Sequence, residues 1–269
     1  DAIMEWFMNN HPNYTLLSNC LKPQRVIEAV RKYQPSHLYV SLDGNKEVYK
    51  KMRGCDGHDK VVEVVKALNN VVPLSLMFCL SPWNSFSDME YVINMAREYN
   101  IDVRIGIYGT MDFFDTKADL LAADLSNFIQ NIPQNIHDTE ENFDFVALYE
   151  EWRNGHLRLR CQSIFSELVI HSNGDVPLCQ NLNVKLGNIH ENSLDEIFNS
   201  RNTQQIQCRY SKECNACWIN FHRKFDLILL RNLERVFPKR IIEIFYGKYQ
   251  WTNNSKMTYR KQIKRIRKI

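Results

Sequence analysis

The sequence predicts an α/β protein: parallel strands forming part of an open (β/α) barrel, then a small cysteine-rich α+β domain and a basic helical tail. Three observations carry this reading. β-rich apolar runs alternate with helix-period stretches through the first half of the chain; five of the eight cysteines crowd into residues 161–217; and residues 239–269 hold ten Lys/Arg against one acid, Glu243. Strands alternating with helices at this spacing imply βαβ units and a parallel sheet. Four such units are too few to close an eight-stranded barrel but suit part of an open one.

The elements follow in order. YTLLSNC at 14–20 is a β-rich run ending in turn formers, and Lys22–Lys32 places Val26, Ile27 and Val30 at helical spacing behind Pro23. HLYVSLDG at 37–44 is a second strand closed by Asp43–Gly44. The stripe Val61, Val62, Val64, Val65 and Leu68 marks a helix over 58–68. A third strand spans 72–81, and a helix over about 85–99 carries Ser87 and Glu90 at capping-box spacing. A fourth strand, IDVRIGIYG, covers 101–109, and a helix covers 116–129. Residues 131–160 read as a polar connector and then a helix, FVALYEEWRNG. SELVIHSNGDVPLC reads as a β-hairpin turning at Ser172–Asp175. Asn192–Ser193 caps a short helix, LDEIFNS; Cys208, Cys214 and Cys217 fall in a loop; and 222–237 is amphipathic, with Phe225, Ile228, Leu229 and Val236 on one face. The domain boundaries expected from this are 1–135, 136–160, 161–225 and 226–269.

Composition narrows the class. With 269 residues, 44 % hydrophobic and 24 % charged, the chain buries a sizeable core and is not of disordered type. The longest apolar run, VVPLSLMFCL at 71–80, falls short of the roughly 18 residues of a membrane span and reads as a buried strand. The opening DAIMEWFMNNHP has no basic n-region, so no signal peptide is expected. Eight cysteines without a secretory signal imply a reducing compartment, the cytoplasm, and thiols that act as ligands. Because it opens on Asp1 rather than Met, the sequence reads as a fragment or a processed form. The tail YRKQIKRIRKI, with Ile263, Ile266 and Ile269 at spacing three, reads as a solvated helix end or as a surface for an acidic partner or membrane.

In parallel α/β sheets ligands sit at the carboxyl ends of the strands. Those ends here are Ser18–Cys20, Ser41–Gly44, Leu80–Ser81 and Tyr108–Gly109, so Asp43 is either a turn residue or a ligand-binding one. In the second half the candidate metal ligands are Cys161, Cys179, Cys208, Cys214 and Cys217, which end in a CxxC. On spacing alone they fit structural zinc as well as an iron–sulfur cluster. Cys20, Cys55 and Cys79 lie outside this group, and His222 reads as a helix-start or surface residue.

The spacing Cys161-x12-Gly174-x4-Cys179 resembles the opening of the SPASM domain of radical S-adenosylmethionine (radical SAM) enzymes. GNIHENSLDEIFNS is similar to that domain's GN…SL.EIW.S stretch. Upstream, SLDGNKEVYKKMRGCDGHDK resembles the SLDG…RG segment of the radical SAM barrel, and TLLSNC its TNG strand, with Cys20 in the place of the glycine. The resemblance covers residues 14–225.

It implies an enzyme that oxidatively modifies an unactivated C–H position of a peptide or protein side chain, or of a small metabolite such as a sugar, through a 5′-deoxyadenosyl radical. S-adenosylmethionine would be held by Ser41, Arg53 and Asp43, and an auxiliary [4Fe–4S] cluster by Cys161, Cys179, Cys214 and Cys217, with Cys208 as the fifth candidate. Electrons would come from a flavodoxin or ferredoxin. The sequence departs from the family in three respects. It has no CxxxCxxC, the loop that holds the radical-forming cluster, so the chain is expected to begin at the third barrel strand and to be inactive by itself. Its five clustered thiols suffice for one auxiliary cluster, not two. And Gln180 stands where sulfatase-maturing members carry an aspartate base; its amide takes no proton at neutral pH. Gln180 remains a candidate neighbour of the substrate. The alternative is a non-catalytic zinc- or iron–sulfur-binding interaction protein.

Overall fold

A computed structural model describes residues 1–108 and 145–251. They fall into two compact units, residues 1–108 in one and 145–251 in the other. The helix expected over 116–129, the connector at 131–144 and the tail beyond 251 lie outside the described residues.

The first unit is a parallel sheet with helices between its strands. Its elements are α1 (Ala2–Asn10), β1 (Thr15–Ser18), α2 (Pro23–Tyr33), β2 (His37–Ser41), α3 (Lys46–Arg53), α4 (His58–Leu68), β3 (Leu74–Leu80), α5 (Phe86–Glu98) and β4 (Asp102–Ile107). The strand order is β1-β2-β3-β4, every pair parallel. All four carboxyl ends therefore lie along one edge of the sheet. Leu38, Val40, Leu76, Phe78, Val103 and Ile105 are buried on the strands, and Val61, Val64, Val65, Leu68, Val92 and Ile93 on the helices. The core is thus the stripe and strand pattern expected from the sequence. Leu17, on edge strand β1, stays exposed.

Two helices of this unit were not expected. The first is α1, which buries none of its residues. The second is α3, whose signals are plain once seen. Asn45 Oδ1 accepts from the backbone N–H groups of Glu47 and Val48, both at 3.1 Å, and Gly54 ends the helix at φ +67°. The α5 capping box was misplaced by two residues. It is Asp88 Oδ2 that accepts from Ser85 N and Ser85 Oγ, at 2.8 and 2.6 Å, and not a Ser87–Glu90 pair. Ser85 is the last extended residue (ψ 178°), which makes it the N-cap, whereas Ser87 already lies inside the helix.

The second unit holds α6 (Tyr149–Arg153), α7 (Ser163–Ser166), β5 (Asp175–Pro177), β6 (Lys185–Asn188), α8 (Leu194–Asn199), α9 (Arg201–Glu213), α10 (Asn220–Val236) and α11 (Lys239–Tyr246). Ser193 caps α8 as expected, with Glu196 completing the box. Two expectations are corrected. A turn does occupy 171–175, with His171 N donating to Asp175 O at 2.9 Å, but the pairing goes no further back; β5 pairs antiparallel with β6, Asp175 opposite Asn188. Leu168 and Ile170 instead point to solvent. Cys208 is not in a loop but on α9, exposed. Among the described residues no helix is long and apolar enough to cross a membrane.

The corrected cap gives a test. Ser85→Ala should destabilise the chain by about 1 kcal/mol, with Ser87→Ala nearly neutral, in chemical denaturation. Equal effects would contradict the cap assignment.

Candidate iron–sulfur and cofactor sites

In the second unit, two glycines and an asparagine shape the segment that carries Cys179. Gly174 has φ +83°, and a Cβ there would lie 2.5 Å from the His190 ring. Only glycine makes this turn at that distance. A Cβ at Gly187 would meet Ile197 at 2.7 Å, so its absence lets α8 lie on β6. Asn188 Nδ2 donates to Asn173 O (3.2 Å) and Asp175 Oδ1 (2.8 Å), pinning the turn to β6. The GN…SLDEI stretch is therefore the brace that holds β5 and hence Leu178–Cys179.

The five candidate cysteines separate into four and one. Cys161, Cys179 and Cys217 are buried and Cys214 half-buried. Cys217 feels the charges of Cys161, Cys214 and Cys179, and Cys161 and Cys179 each feel Cys214. Cys208 stands apart on the exposed side of α9. Burial, reinforced by the neighbouring thiols, pushes Cys217 up to about 12 and Cys161 up to about 11, and it raises Cys179 as well. Backbone N–H groups oppose this: Asn181 and Leu182 donate to the Cys179 sulfur, and Ile164 to that of Cys161. Such N–H···S bonds favour thiolate and are what a metal-bound sulfur accepts.

Among the described residues no three His, Cys, Asp or Glu side chains converge tightly enough for a single ion. A zinc ion needs its sulfurs about 2.3 Å away; a multi-iron cluster, being several atoms across, takes donors set further apart. Buried thiols near one another, with N–H donors on two of them and an apolar wall of Ile164, Leu178, Leu182 and Ile206, fit a cluster. Asn181 Oδ1 is also buried there with no hydrogen-bond partner.

Sequence reasoning missed what joins these segments. Arg223, fully buried, donates from Nε to Cys217 O (3.0 Å) and from Nη1 to Leu159 O (3.4 Å). Nη1 also reaches Asp226 Oδ2 at 3.0 Å, and Nη2 reaches Asn215 Oδ1 at 3.4 Å. Asp226 Oδ1 in turn accepts from Gln162 N at 3.0 Å. One buried pair thus ties the Cys161 segment to the Cys214–Cys217 loop. Burial raises Asp226, and the Arg223 charge opposes that rise. Asn215 adds Nδ2 to Leu157 O (3.3 Å) and takes Trp152 Nε1 on its carbonyl (2.9 Å), while Trp152 stacks on Trp218 at 5.4 Å. His222 begins α10, as expected, but it is buried rather than on the surface. Its Nδ1 lies 3.8 Å from Cys217 Sγ, and its Nε2 lies 2.9 Å from Glu167 Oε2. The sequence signal was Arg-x-x-Asp on one helix face directly after the CxxC. Gln180 follows Cys179 at intermediate exposure.

In the first unit the candidates Ser41, Asp43 and Arg53 come together at the carboxyl edge of the sheet. Ser41 ends β2. Asp43 is buried; its Oδ2 takes Arg53 Nε at 2.7 Å and Nη2 at 2.5 Å, and its Oδ1 takes Cys79 N at 3.2 Å. Asp43 is therefore more than a turn residue. Asn84 Nδ2 bridges Asp43 O (3.2 Å) and Cys79 O (2.8 Å), locking the ends of β2 and β3 together. The Arg53 side chain keeps 34 % of its surface open to solvent. Cys20, at the end of β1, is fully buried with φ +56°, a conformation suited to glycine. Cys79 is pushed up to about 12 by burial.

Arg223→Met leaves Asp226 buried without its counter-charge and should destabilise the second unit by about 3–5 kcal/mol. Arg223→Met with Asp226→Leu should recover part of that stability in thermal melts, yet still bind less iron, because Cys217 O and Leu159 O lose their common donor. Full iron content in the double variant would refute the joining role.

The comparisons agree with this geometry. Residues 161–218 match the SPASM family, described as an iron–sulfur cluster-binding domain. Among solved structures the chain is similar to polyhistidine-tagged anSMEcpe with bound AdoMet, an anaerobic sulfatase-maturating enzyme. The identity is 16 % and the TM-score 0.52, over 85 % of this chain and 74 % of that one. Curated proteins give no sequence match. Residues 161–218 match the SPASM iron–sulfur cluster-binding family, and the chain shares the fold of that AdoMet-bound structure.

Proposed function

We propose that this chain is part of a radical SAM/SPASM enzyme that oxidatively modifies a peptide or protein side chain, with one auxiliary [4Fe–4S] cluster on Cys161, Cys179, Cys214 and Cys217. The observation that carries the reading is the gathering of these four thiols, without Cys208, inside a SPASM domain. When bound, AdoMet supplies the hydrogen-abstracting 5′-deoxyadenosyl radical, and the auxiliary cluster takes up an electron or orients the substrate.

The residues here would bind and orient. Asp43 fixes Arg53 through Nε and Nη2, leaving the rest of a part-exposed guanidinium for the AdoMet carboxylate. Ser41, at the end of β2, would add a hydroxyl hydrogen bond. In the second unit, the N–H groups of Ile164, Asn181 and Leu182 would hold the Cys161 and Cys179 sulfurs in place, and the apolar wall would exclude water. The four-stranded sheet would be one section of a partial barrel, and the thiol-rich chain would work in the reducing cytoplasm. A protein substrate is favoured by the likeness to a maturase; Gln180, which cannot act as a base, speaks against sulfatase maturation. A small metabolite is the second choice.

Anaerobic reconstitution should give a brown protein with about four irons and absorbance near 400 nm. Cys161→Ala, Cys179→Ala, Cys214→Ala and Cys217→Ala should each lose most of it, and Cys208→Ala should not. Stoichiometric zinc in a colourless protein would point instead to a structural scaffold.

A second reading, a cluster-binding role without radical chemistry for this chain alone, is favoured by the lack of any CxxxCxxC in the sequence. The chain incubated with AdoMet and dithionite should therefore form no 5′-deoxyadenosine above background. Turnover would show that another site generates the radical.

A further inference from the structure

The end of α10 and the whole of α11 present an apolar surface for which the cluster and cofactor sites have no use. Val236, Phe237, Ile241, Ile244 and Phe245 are exposed, Val236 at 73 % and Ile244 at 77 %. Behind them runs a groove of about 170 Å³, lined by Leu233, Phe237, Ile241, Ile242, Phe245 and Tyr246. Only Ile242 of α11 is buried. Five large apolar side chains side by side at this exposure form a patch that marks an interaction site.

The charges exposed around this patch are basic. Arg235, Lys239, Arg240 and Lys248 are exposed on the same stretch of chain. The two acids nearby are already engaged: Glu234 Oε1 accepts from Tyr249 OH and Trp251 Nε1, both at 2.8 Å, and Glu243 pairs with Lys239 at 3.6 Å. The sequence beyond Trp251 adds seven more Lys/Arg and no acid. Docking of that basic segment, or of a second copy, would set like charges against one another, which opposes both. A nucleic acid would meet the charge but offers no hydrocarbon to isoleucine and phenylalanine. The partner that answers both features is a surface with anionic heads above an apolar layer.

We propose that α11 and the end of α10 form a docking face for an anionic phospholipid surface. Ile241, Ile244, Phe245, Val236 and Phe237 enter the headgroup–acyl boundary, and Arg235, Arg240 and Lys248 meet the headgroups. An interfacial helix joins an apolar face to basic flanks in this way. The attachment is peripheral and reversible, with a short helix lying along the bilayer rather than crossing it.

The test is co-sedimentation of the full chain with phosphatidylcholine vesicles, with and without phosphatidylglycerol. Binding should require phosphatidylglycerol and weaken as salt is raised. Ile244→Asp and Arg240→Glu, both at exposed positions, should each lower partitioning by about tenfold while leaving the thermal melt and iron content unchanged. Vesicle binding that ignores lipid charge, or variants that bind like the parent, would overturn the proposal. So would a dimer in sedimentation velocity that Ile244→Asp dissolves without any vesicle binding, which would assign the face to a second copy. Capture by polyglutamate or DNA with no vesicle binding would assign it to an acidic macromolecule.

Discussion

A guanidinium buried to zero exposure beside a buried carboxylate sets the architecture of the second unit. Arg223 and Asp226 sit one helical turn apart on α10, and between them they bond to Leu159, Gln162, Asn215 and Cys217. A buried ion pair is a poor source of net stability, since desolvating two charges consumes most of what their attraction returns. Its contribution here is geometric. The carbonyls of Leu159 and Cys217 are buried acceptors that need a donor, and one planar side chain supplies both. The segment entering Cys161 and the Cys214–Cys217 loop are therefore held at one distance by a single planar guanidinium.

The first unit uses the same pair of residue types to a different end. Asp43 is as buried as Asp226 and receives two guanidinium nitrogens plus a backbone N–H. Arg53, however, keeps a third of its side chain open, whereas Arg223 keeps none. A guanidinium whose donors are all directed at its own protein is a brace. One held by two nitrogens, with surface to spare, keeps donors that a bound anion could use, which is the use proposed for Arg53. Exposure of the arginine, and not the existence of the pair, is what distinguishes the two sites.

Much of the first unit was legible because its pattern is local. Period-two and helix-period runs fixed β1 to β4, α2, α4 and α5 to within a few residues, since each buries one face against its neighbours in sequence. α3 was lost because Asp43–Gly44 read as a turn, although Asn45 as cap and Gly54 at the far end framed it. In the second unit the contacts that decide are long-range. Whether 175–177 pairs backward with 168–171 or forward with 185–188 depends on Ile197 resting on Gly187, and on Asn188 reaching back to Asn173. No periodicity reports either contact. The Arg223–Asp226 brace was invisible for the same reason: inside an amphipathic stretch, an i,i+3 charge pair reads as solvated surface. Of the apolar residues read at helical spacing there, Phe225, Leu229 and Val236 are exposed and Ile228 half-buried, while the polar Arg223 and Asp226 are buried. The buried face of that helix mixes Leu227 and Leu230 with the Arg223–Asp226 pair, because the buried carbonyls it packs against need donors.

The cysteines show why burial alone does not identify a ligand. Cys20 and Cys79 are pushed up to about 11 and about 12, much as Cys161 and Cys217 are. For Cys20 and Cys79 burial is the dominant cause and no other thiol contributes to it; a neutral thiol in an apolar setting is stable and inert. For Cys161 and Cys217 the neighbouring thiols add to the rise, and N–H donors on Cys161 and Cys179 act against it. Such donors are wasted on a protonated sulfur and stabilise a charged one. A group of thiols that repel one another as anions, yet are supplied with anion-stabilising bonds, resolves the conflict only by exchanging protons for a cationic core. That internal opposition supports the proposed set of Cys161, Cys179, Cys214 and Cys217, with Cys208 as the fifth candidate left outside it.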